Sequence, residues 1–256
     1  MKEARKTCVI TGAASGIGAA LAEVLKDEYD IIGIDRDFAN AKKVMDKLGA
    51  RANVRFIIAE LSSKAGQERI VDELEHEKVD LFVHSAGINV VTAFDASDIQ
   101  TQMAVLDVNL HAPVSLTKTL LAHFVLKRGS SIIFISSLSH FVGYPGASVY
   151  GASKDGLTSF ARSLSLALKP EGIHVMTVFP GPTHTPYAQQ HSLDNSKEHL
   201  RVSPEVLAQK IKKALGQRRH RYVPGLKNKM FAVAGKLFPK LTEHIMKRTV
   251  FDKLQN

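Results

Sequence analysis

Along the first 180 residues, short runs of apolar and β-branched residues alternate with longer stretches whose apolar positions recur every three or four residues. The runs "TCVIT" (7–11), "DIIGID" (30–35), "NVRFIIA" (53–59), "DLFVHSAG" (80–87), "SSIIFISS" (130–137) and "IHVMTVFPG" (173–181) are predicted strands. Helices are predicted over 17–28, where Ile17, Leu21, Val24 and Leu25 recur at helical spacing, near 39–48, and over 63–77. Two more are predicted over 98–127, with a bend near Pro113, and over 149–168. The strands are nearly continuous in apolar residues, the pattern of a parallel sheet covered on both faces. The βαβα repetition therefore predicts an α/β fold, a doubly wound parallel sheet with right-handed crossovers. No linker, low-complexity tract or repeat divides the chain, so one domain over 1–256 is expected. Beyond 181 the pattern weakens. Residues 182–200 carry little periodicity, 203–215 read as a helix opened by "SPE", and 225–248 read as one or two basic amphipathic helices.

The 256 residues are 45% apolar and 23% charged, a globular balance. The single cysteine, Cys8, has no partner for an internal disulfide, which suits a reducing compartment. The start "MKEARKTCVITGAASG" lacks a secretory pattern, and no apolar run approaches the ~18 residues of a membrane span. A cytoplasmic location is expected. The formal charge of +9 concentrates towards the end of the chain, in "KIKKALGQRRHRY" and "GLKNKM", without a nucleic-acid-binding motif, so nucleic acid is not an expected partner. The eleven histidines include no H-x-x-x-H pair and no His/Cys cluster, so no metal is expected. From Tyr222 onward apolar clusters alternate with lysines. Such helices lie on an anionic membrane surface, cap an active-site pocket or pack on a subunit interface.

Two stretches carry chemistry. "CVITGAASGIGAALAEVL" puts Gly12, Gly16 and Gly18 between the first strand and its helix, where glycines let a backbone turn closely around a pyrophosphate and the helix N-terminus supplies N–H donors. Asp35 ends the second strand, 17 residues beyond Gly18, at the place where a carboxylate receives ribose hydroxyls. Its charge opposes a 2′-phosphate and favours NAD(H); Arg36 beside it keeps NADP(H) as an alternative. In "SVYGASKDG", Tyr150 and Lys154 stand one helical turn apart. An adjacent ammonium favours the phenolate, which predicts a lowered tyrosine pKa and a proton-exchanging group.

The motifs "TGAASGIG", "SAG", "VNL", "ISS" and "YGASK" occur in this order, each at the end of a predicted strand or on the adjoining helix. Together they resemble the short-chain dehydrogenase/reductase family in its single-domain form, over about residues 5–190. The resemblance implies a Rossmann-like sheet of about seven strands, a nicotinamide cofactor and a homotetramer or homodimer. It implies Tyr150 as acid/base, Lys154 as the group that lowers the tyrosine pKa and binds the nicotinamide ribose, and Ser137 as the holder of the substrate oxygen. Asn109 in "DVNLHA" corresponds to the helical asparagine of the proton relay. Cofactor contacts are implied at Gly12, Ser15, Gly16, Ile17, Gly18, Asp35, Arg36, Glu60, Leu61, Ala86, Gly87, Tyr150, Lys154, Pro180, Gly181, Thr183 and Thr185. His140, Tyr144, His184 and Tyr187 are candidates to line the substrate pocket. The helix over 108–126, apolar on nearly all sides, is expected to cover the sheet on one face and meet a partner subunit on the other.

This chain departs from the family pattern at "HSAG", where His84 and Ser85 replace two asparagines, at Glu60 in place of an aspartate, and at Phe179 in place of an asparagine. The expected activity is NAD(H)-dependent hydride transfer between the cofactor and an apolar secondary alcohol or ketone. The alternatives are a 3-oxoacyl-[acyl-carrier-protein] reductase using NADP(H) and a non-catalytic dinucleotide-binding sensor or scaffold. The basic tail adds the expectation of peripheral membrane contact.

Overall fold

The computed structural model describes residues 5–49, 53–190, 198–249 and 251–253. Its strands are β1 (Lys6–Thr11), β2 (Tyr29–Asp35), β3 (Val54–Ile58), β4 (Val79–His84), β5 (Ser131–Ile135), β6 (His174–Val178) and β7 (Arg221–Tyr222). They form one sheet in the order β3-β2-β1-β4-β5-β6-β7, with every pairing parallel. Successive residues of β1 serve opposite cores. Val9 joins the cluster under α3 (Lys64–Leu74), α5 (Ala112–Ala122) and α6 (Ser148–Leu168), whereas Cys8 and Ile10 face α1 (Gly16–Leu25) and α8 (Pro204–Gly216). Burial on both faces explains why the strands read as unbroken apolar runs. On the β2 side, α2 (Phe38–Leu48) buries only Ala41 and Leu48.

The chain winds outward from β1 to β3 in one direction, then returns to lay β4 on the other side of β1. This reversal opens a crevice at the C-terminal ends of β1 and β4, the place where ligands bind in open α/β sheets.

The predicted helix over 98–127 is divided. It comprises α4 (Ile99–Leu106), a π-helical stretch at Asp107–His111, and α5. The bend lies just before Pro113, because proline lacks an N–H and disfavours the ordinary helical geometry of the preceding turn. Instead Ala112 N–H reaches back to Asp107 O. The helix also ends early, at Ala122, where Phe124 takes a left-handed φ of 58°. Strand β7 is two residues long and gives no periodic signal. After β6 come the short α7 (Pro186–Gln190) and then α8; residues 191–197 of the weakly patterned 182–200 stretch lie outside the described residues. The basic tail forms two helices, α9 (Leu226–Leu237) and α10 (Pro239–Thr249), parted at Pro239.

Candidate active site

The glycine turn is built for close approach. Gly12 (φ 68°) and Gly16 (φ 53°) adopt left-handed backbone, and a Cβ on Gly18 would lie 2.1 Å from Gly12 O. Gly12 N–H is fixed by Ile34 O at 2.8 Å, and a Cβ on Gly12 would meet Ala86 Cα at 2.8 Å. Ser15 caps α1 with extended backbone and no side-chain bond, so the first-turn N–H groups of Gly16, Ile17 and Gly18 have no carbonyl one turn back. That supplies donors and a positive helix end to an anion in the crevice. The side chain of Thr185 approaches Gly16 from across the crevice; a Cβ on Gly16 would lie 3.1 Å from its methyl. These features fit a dinucleotide pyrophosphate.

Asp35 stands beside the turn, its carboxylate accepting Ala14 N–H at 3.0 Å and Asp37 N–H at 3.1 Å. Arg36 turns away to pair with Glu60 at 3.0 Å. Glu60 also accepts Ser62 N–H and hydroxyl; against desolvation, the Arg36 hydrogen bond first and the Ser62 bonds after it hold its pKa below the usual carboxylate range. Leu61 is buried in the core.

On the β5 side, Ser137 follows the strand with extended backbone, and its Oγ accepts Ser139 N–H at 3.1 Å. Ser136 is occupied elsewhere, donating to Lys154 O at 3.2 Å and pairing with Thr158 Oγ1 at 2.8 Å. Helix α6 places Tyr150 and Lys154 on one face, with Nζ 5.8 Å from the phenol ring centre. Lys154 is buried and donates to Ile135 O at 3.0 Å. A Cβ on Gly87 would lie 3.2 Å from both Lys154 Nζ and Asn109 Oδ1, so strand β4 delivers its glycine between the two. Asn109 is fully buried in the π-helical stretch. Its amide accepts Ile88 N–H and donates to Ile88 O, both at 2.9 Å, and donates to Ser153 Oγ at 3.1 Å. The wide turn ahead of Pro113 is what carries this asparagine.

The electrostatics correct one expectation. Tyr150 is not tuned downward: burial pushes its pKa up to about 12, and the Ser137 hydroxyl is the one group that opposes the rise. Burial also pushes Lys154 down to about 8. Desolvation disfavours the charged form of each group.

The four pocket candidates divide. Tyr144 stands edge-on to Tyr150 with ring centres 6.3 Å apart. Tyr187 Oη donates to Asn89 O at 2.6 Å and accepts Asn89 N–H at 2.8 Å, while the Asn89 side chain bonds Tyr144. His140 is not brought to Tyr150. It pairs with Asp155 at 2.8 Å, stacks on Phe179, and lies 3.4 Å from Arg221. With Tyr144 it lines a cleft of about 730 Å³ on the far face of α6, beside Ser148, Gly151, Ala152 and Asp155. His184 is held by Glu198 at 2.8 Å and Gln189 at 3.1 Å. Pro180 O accepts Leu138 N–H at 3.1 Å, and Thr183 Oγ1 donates to Gly181 O at 3.0 Å, so the segment after β6 is tied to the one after β5.

Sequence reasoning missed Asn89 and Thr11. The latter's Oγ1 accepts the N–H groups of Ser85 and Ala86, both at 3.1 Å, bracing the "HSAG" turn. His84 stacks on Phe134 and bonds Thr117 at 2.9 Å; burial lowers its pKa to about 3, so it is neutral. Thr11 sits in a plain strand run, and only the pairing of β1 with β4 reveals its partner.

The family model for short chain dehydrogenase matches residues 6–196 of this chain. A human protein named "Dehydrogenase/reductase SDR family member 2, mitochondrial" is 33% identical over 206 residues, covering 77% of this chain and 73% of its own. The human 3-oxoacyl-[acyl-carrier-protein] reductase is 29% identical over 199 residues, covering 77% and 81%. A short-chain dehydrogenase from Sphingobium yanoikuyae, solved in complex with NADPH, matches with a TM-score of 0.80 and 24% identity over 90% of this chain and 92% of that one, a likeness of fold.

Proposed function

Because the chain belongs to the short chain dehydrogenase family, and is thereby an NAD(P)-dependent oxidoreductase, we propose that it interconverts an apolar secondary alcohol and its ketone with NAD(H). The observation that carries this reading is a chain of contacts: Asn109 and Lys154 meet at Gly87, Lys154 Nζ stands 5.8 Å from the Tyr150 ring centre, and the Ser137 hydroxyl bonds Tyr150. The bound cofactor supplies a hydride donor or acceptor; this chain supplies position and proton handling. Gly12, Ser15, Gly16, Ile17 and Gly18 would hold the pyrophosphate, Asp35 the adenosine ribose, and Lys154 the nicotinamide ribose. Leu61, Ala86, Gly87, Pro180, Gly181, Thr183 and Thr185 would line the remainder.

Asp35 supports NAD(H) because two backbone N–H groups hold its carboxylate in place, and Arg36 makes its ion pair with Glu60 rather than with Asp35. Ser137 holds the substrate oxygen beside Tyr150 Oη. With its pKa raised, the phenol carries its proton at neutral pH and donates it to the forming alkoxide during ketone reduction. Membership of the family supports assembly into a homodimer or homotetramer.

A second reading, reduction of 3-oxoacyl groups on an acidic carrier protein, is favoured by the +9 charge and by the human relative of that name, and opposed by Asp35. The test is turnover of a panel of ketones and acetoacetyl thioesters with NADH and NADPH side by side, for the wild type and Tyr150→Phe. Ketone reduction with NADH that falls at least ~100-fold in the variant, with cofactor binding retained, is expected. Undiminished turnover in Tyr150→Phe removes the tyrosine from the chemistry. Thioester turnover with NADPH alone selects the second reading, and cofactor binding without turnover of any substrate selects the sensor or scaffold.

A further inference from the structure

Helix α9 has two apolar faces, and only one is used by the fold. Its buried side carries Ala232 and Gly235. Gly235 packs so closely that a Cβ there would lie 2.2 Å from Phe141 O. On the opposite side Leu226 (74% exposed), Met230 (65%), Val233 (54%) and Leu237 (66%) recur at spacings of four, three and four, a single stripe along the helix. Phe238, Leu241 and Ile245 extend the exposed apolar surface onto α10. Of the fifteen large apolar side chains exposed among the described residues, these seven fall within twenty consecutive positions, so the tail concentrates what the rest of the surface scatters. An exposed concentration of this kind marks an interaction surface.

The charge of the same two helices says what covers it. They carry Lys227, Lys229, Lys236, Lys240, Lys247 and Arg248 against one acid, Glu243. On the helical wheel, Lys227 falls on one flank of the α9 stripe and Lys229 and Lys236 on the other. A second copy seated on this face would bring like-charged flanks together across a two-fold axis, which repels. A lipid surface with anionic headgroups meets both features at once: the stripe enters the headgroup boundary and the lysines stay at the phosphates. No helix among the described residues is long and apolar enough to cross a membrane, so the contact is interfacial.

We infer that α9 and α10 form an interfacial anchor that docks this protein on anionic lipid bilayers through Leu226, Met230, Val233 and Leu237. The anchor is joined to the active site. Gly235 rests on the segment that follows Ser137, and the Asn228 side chain lies against Gly181.

Sedimentation of the full chain with phosphatidylcholine vesicles, with and without phosphatidylglycerol, tests this. Binding to the phosphatidylglycerol vesicles is expected, weakened by salt, and reduced at least ~10-fold by the triple change Met230→Gln, Val233→Gln, Leu237→Gln. Charge reversal at Lys227 and Lys229 is expected to reduce it similarly. An unchanged unfolding midpoint and unchanged NADH affinity in both variants show that the fold and the cofactor site are intact. These readouts are independent of which substrate the enzyme takes. The inference is overturned if the wild type ignores phosphatidylglycerol vesicles, binds neutral vesicles equally, or binds undiminished in the triple variant. A wild-type oligomer that dissociates on the triple change without vesicle binding would also overturn it, and would assign the stripe to a contact between copies.

Discussion

Replacing Lys154 by methionine separates what this lysine does for the fold from what it does for the chemistry. The ammonium is buried, and its pKa falls from 10.5 to about 8. At 1.36 kcal/mol per pKa unit, holding the charged form in the folded state costs about 3 kcal/mol at pH 7. Methionine is unbranched, fills much the same volume and carries no charge. It forfeits the bond from Nζ to Ile135 O, worth about 1 kcal/mol. Lys154→Met is therefore expected to be about 2 kcal/mol more stable than the wild type at pH 7 and to lose activity at least ~100-fold. The pH dependence fixes the cause. Between pH 8 and 10.5 the unfolded chain binds more protons at this position than the folded one, so the wild type recovers stability as pH rises. Its deficit against the variant is full below about pH 8 and shrinks towards pH 10.5. Urea unfolding of both proteins at a series of pH values measures the difference. A variant less stable than the wild type at pH 7, or a gap that stays constant through this window, refutes the reasoning.

Two further outcomes follow from the same geometry. Asp35→Ser removes a carboxylate whose repulsion of a 2′-phosphate is about 1–4 kcal/mol per charge pair at 4 Å, between water and protein-surface screening. The ratio of kcat/KM for NADH over NADPH is expected to fall at least ~10-fold; an unmoved ratio assigns cofactor choice to other residues. Asn109→Ala leaves the N–H and C=O of Ile88 without their partners, a loss of about 2–4 kcal/mol in urea unfolding. A variant with wild-type stability would show that water replaces the amide and that the asparagine does not brace the turn beside Gly87.

How much of this was legible depended on whether the signal was local. Five of the seven strands announced themselves because both faces are buried along most of their length. The edge strand β3 did so because its half-buried run is still rich in apolar, β-branched residues, and the glycine turn because its conformation admits few residues. The seventh strand has two residues and forms only because Val178 and Thr177 present an open edge to it. The placement of Tyr150, Lys154, Ser137 and Asn109 was read from motif order, and the proximity of these residues follows from parallel strands ending at one edge of the sheet. His84 was legible as a departure but not as a solution. Its role requires Phe134 from β5 on one side and Thr117 from α5 on another, two positions remote in sequence. The same applies to His140, whose position after Ser137 suggested the pocket but whose ring is drawn to Asp155 and Phe179 on the other side of α6.

The pKa of Tyr150 was the expectation that failed, and its failure clarifies the proton chemistry. A one-turn spacing predicts attraction between phenolate and ammonium, but says nothing of the desolvation that both groups suffer once the sheet and α6 close around them. A phenol held near 12 is almost wholly protonated at neutral pH, which equips it to give a proton before it can accept one. When the proton leaves, a phenolate appears beside the Ser137 hydroxyl and within reach of the Lys154 ammonium, in surroundings that screen charge poorly. On the proposed mechanism the lysine contributes most to the state in which negative charge has formed, the differential stabilisation that lowers a barrier rather than tightening a complex. Oxidation of an alcohol runs the same transfer in reverse and needs the phenolate first, so further positive charge at the crevice favours it. On that mechanism, the raised Tyr150 pKa favours the proton-donating half of the transfer, and positive charge brought by a bound cofactor would oppose it.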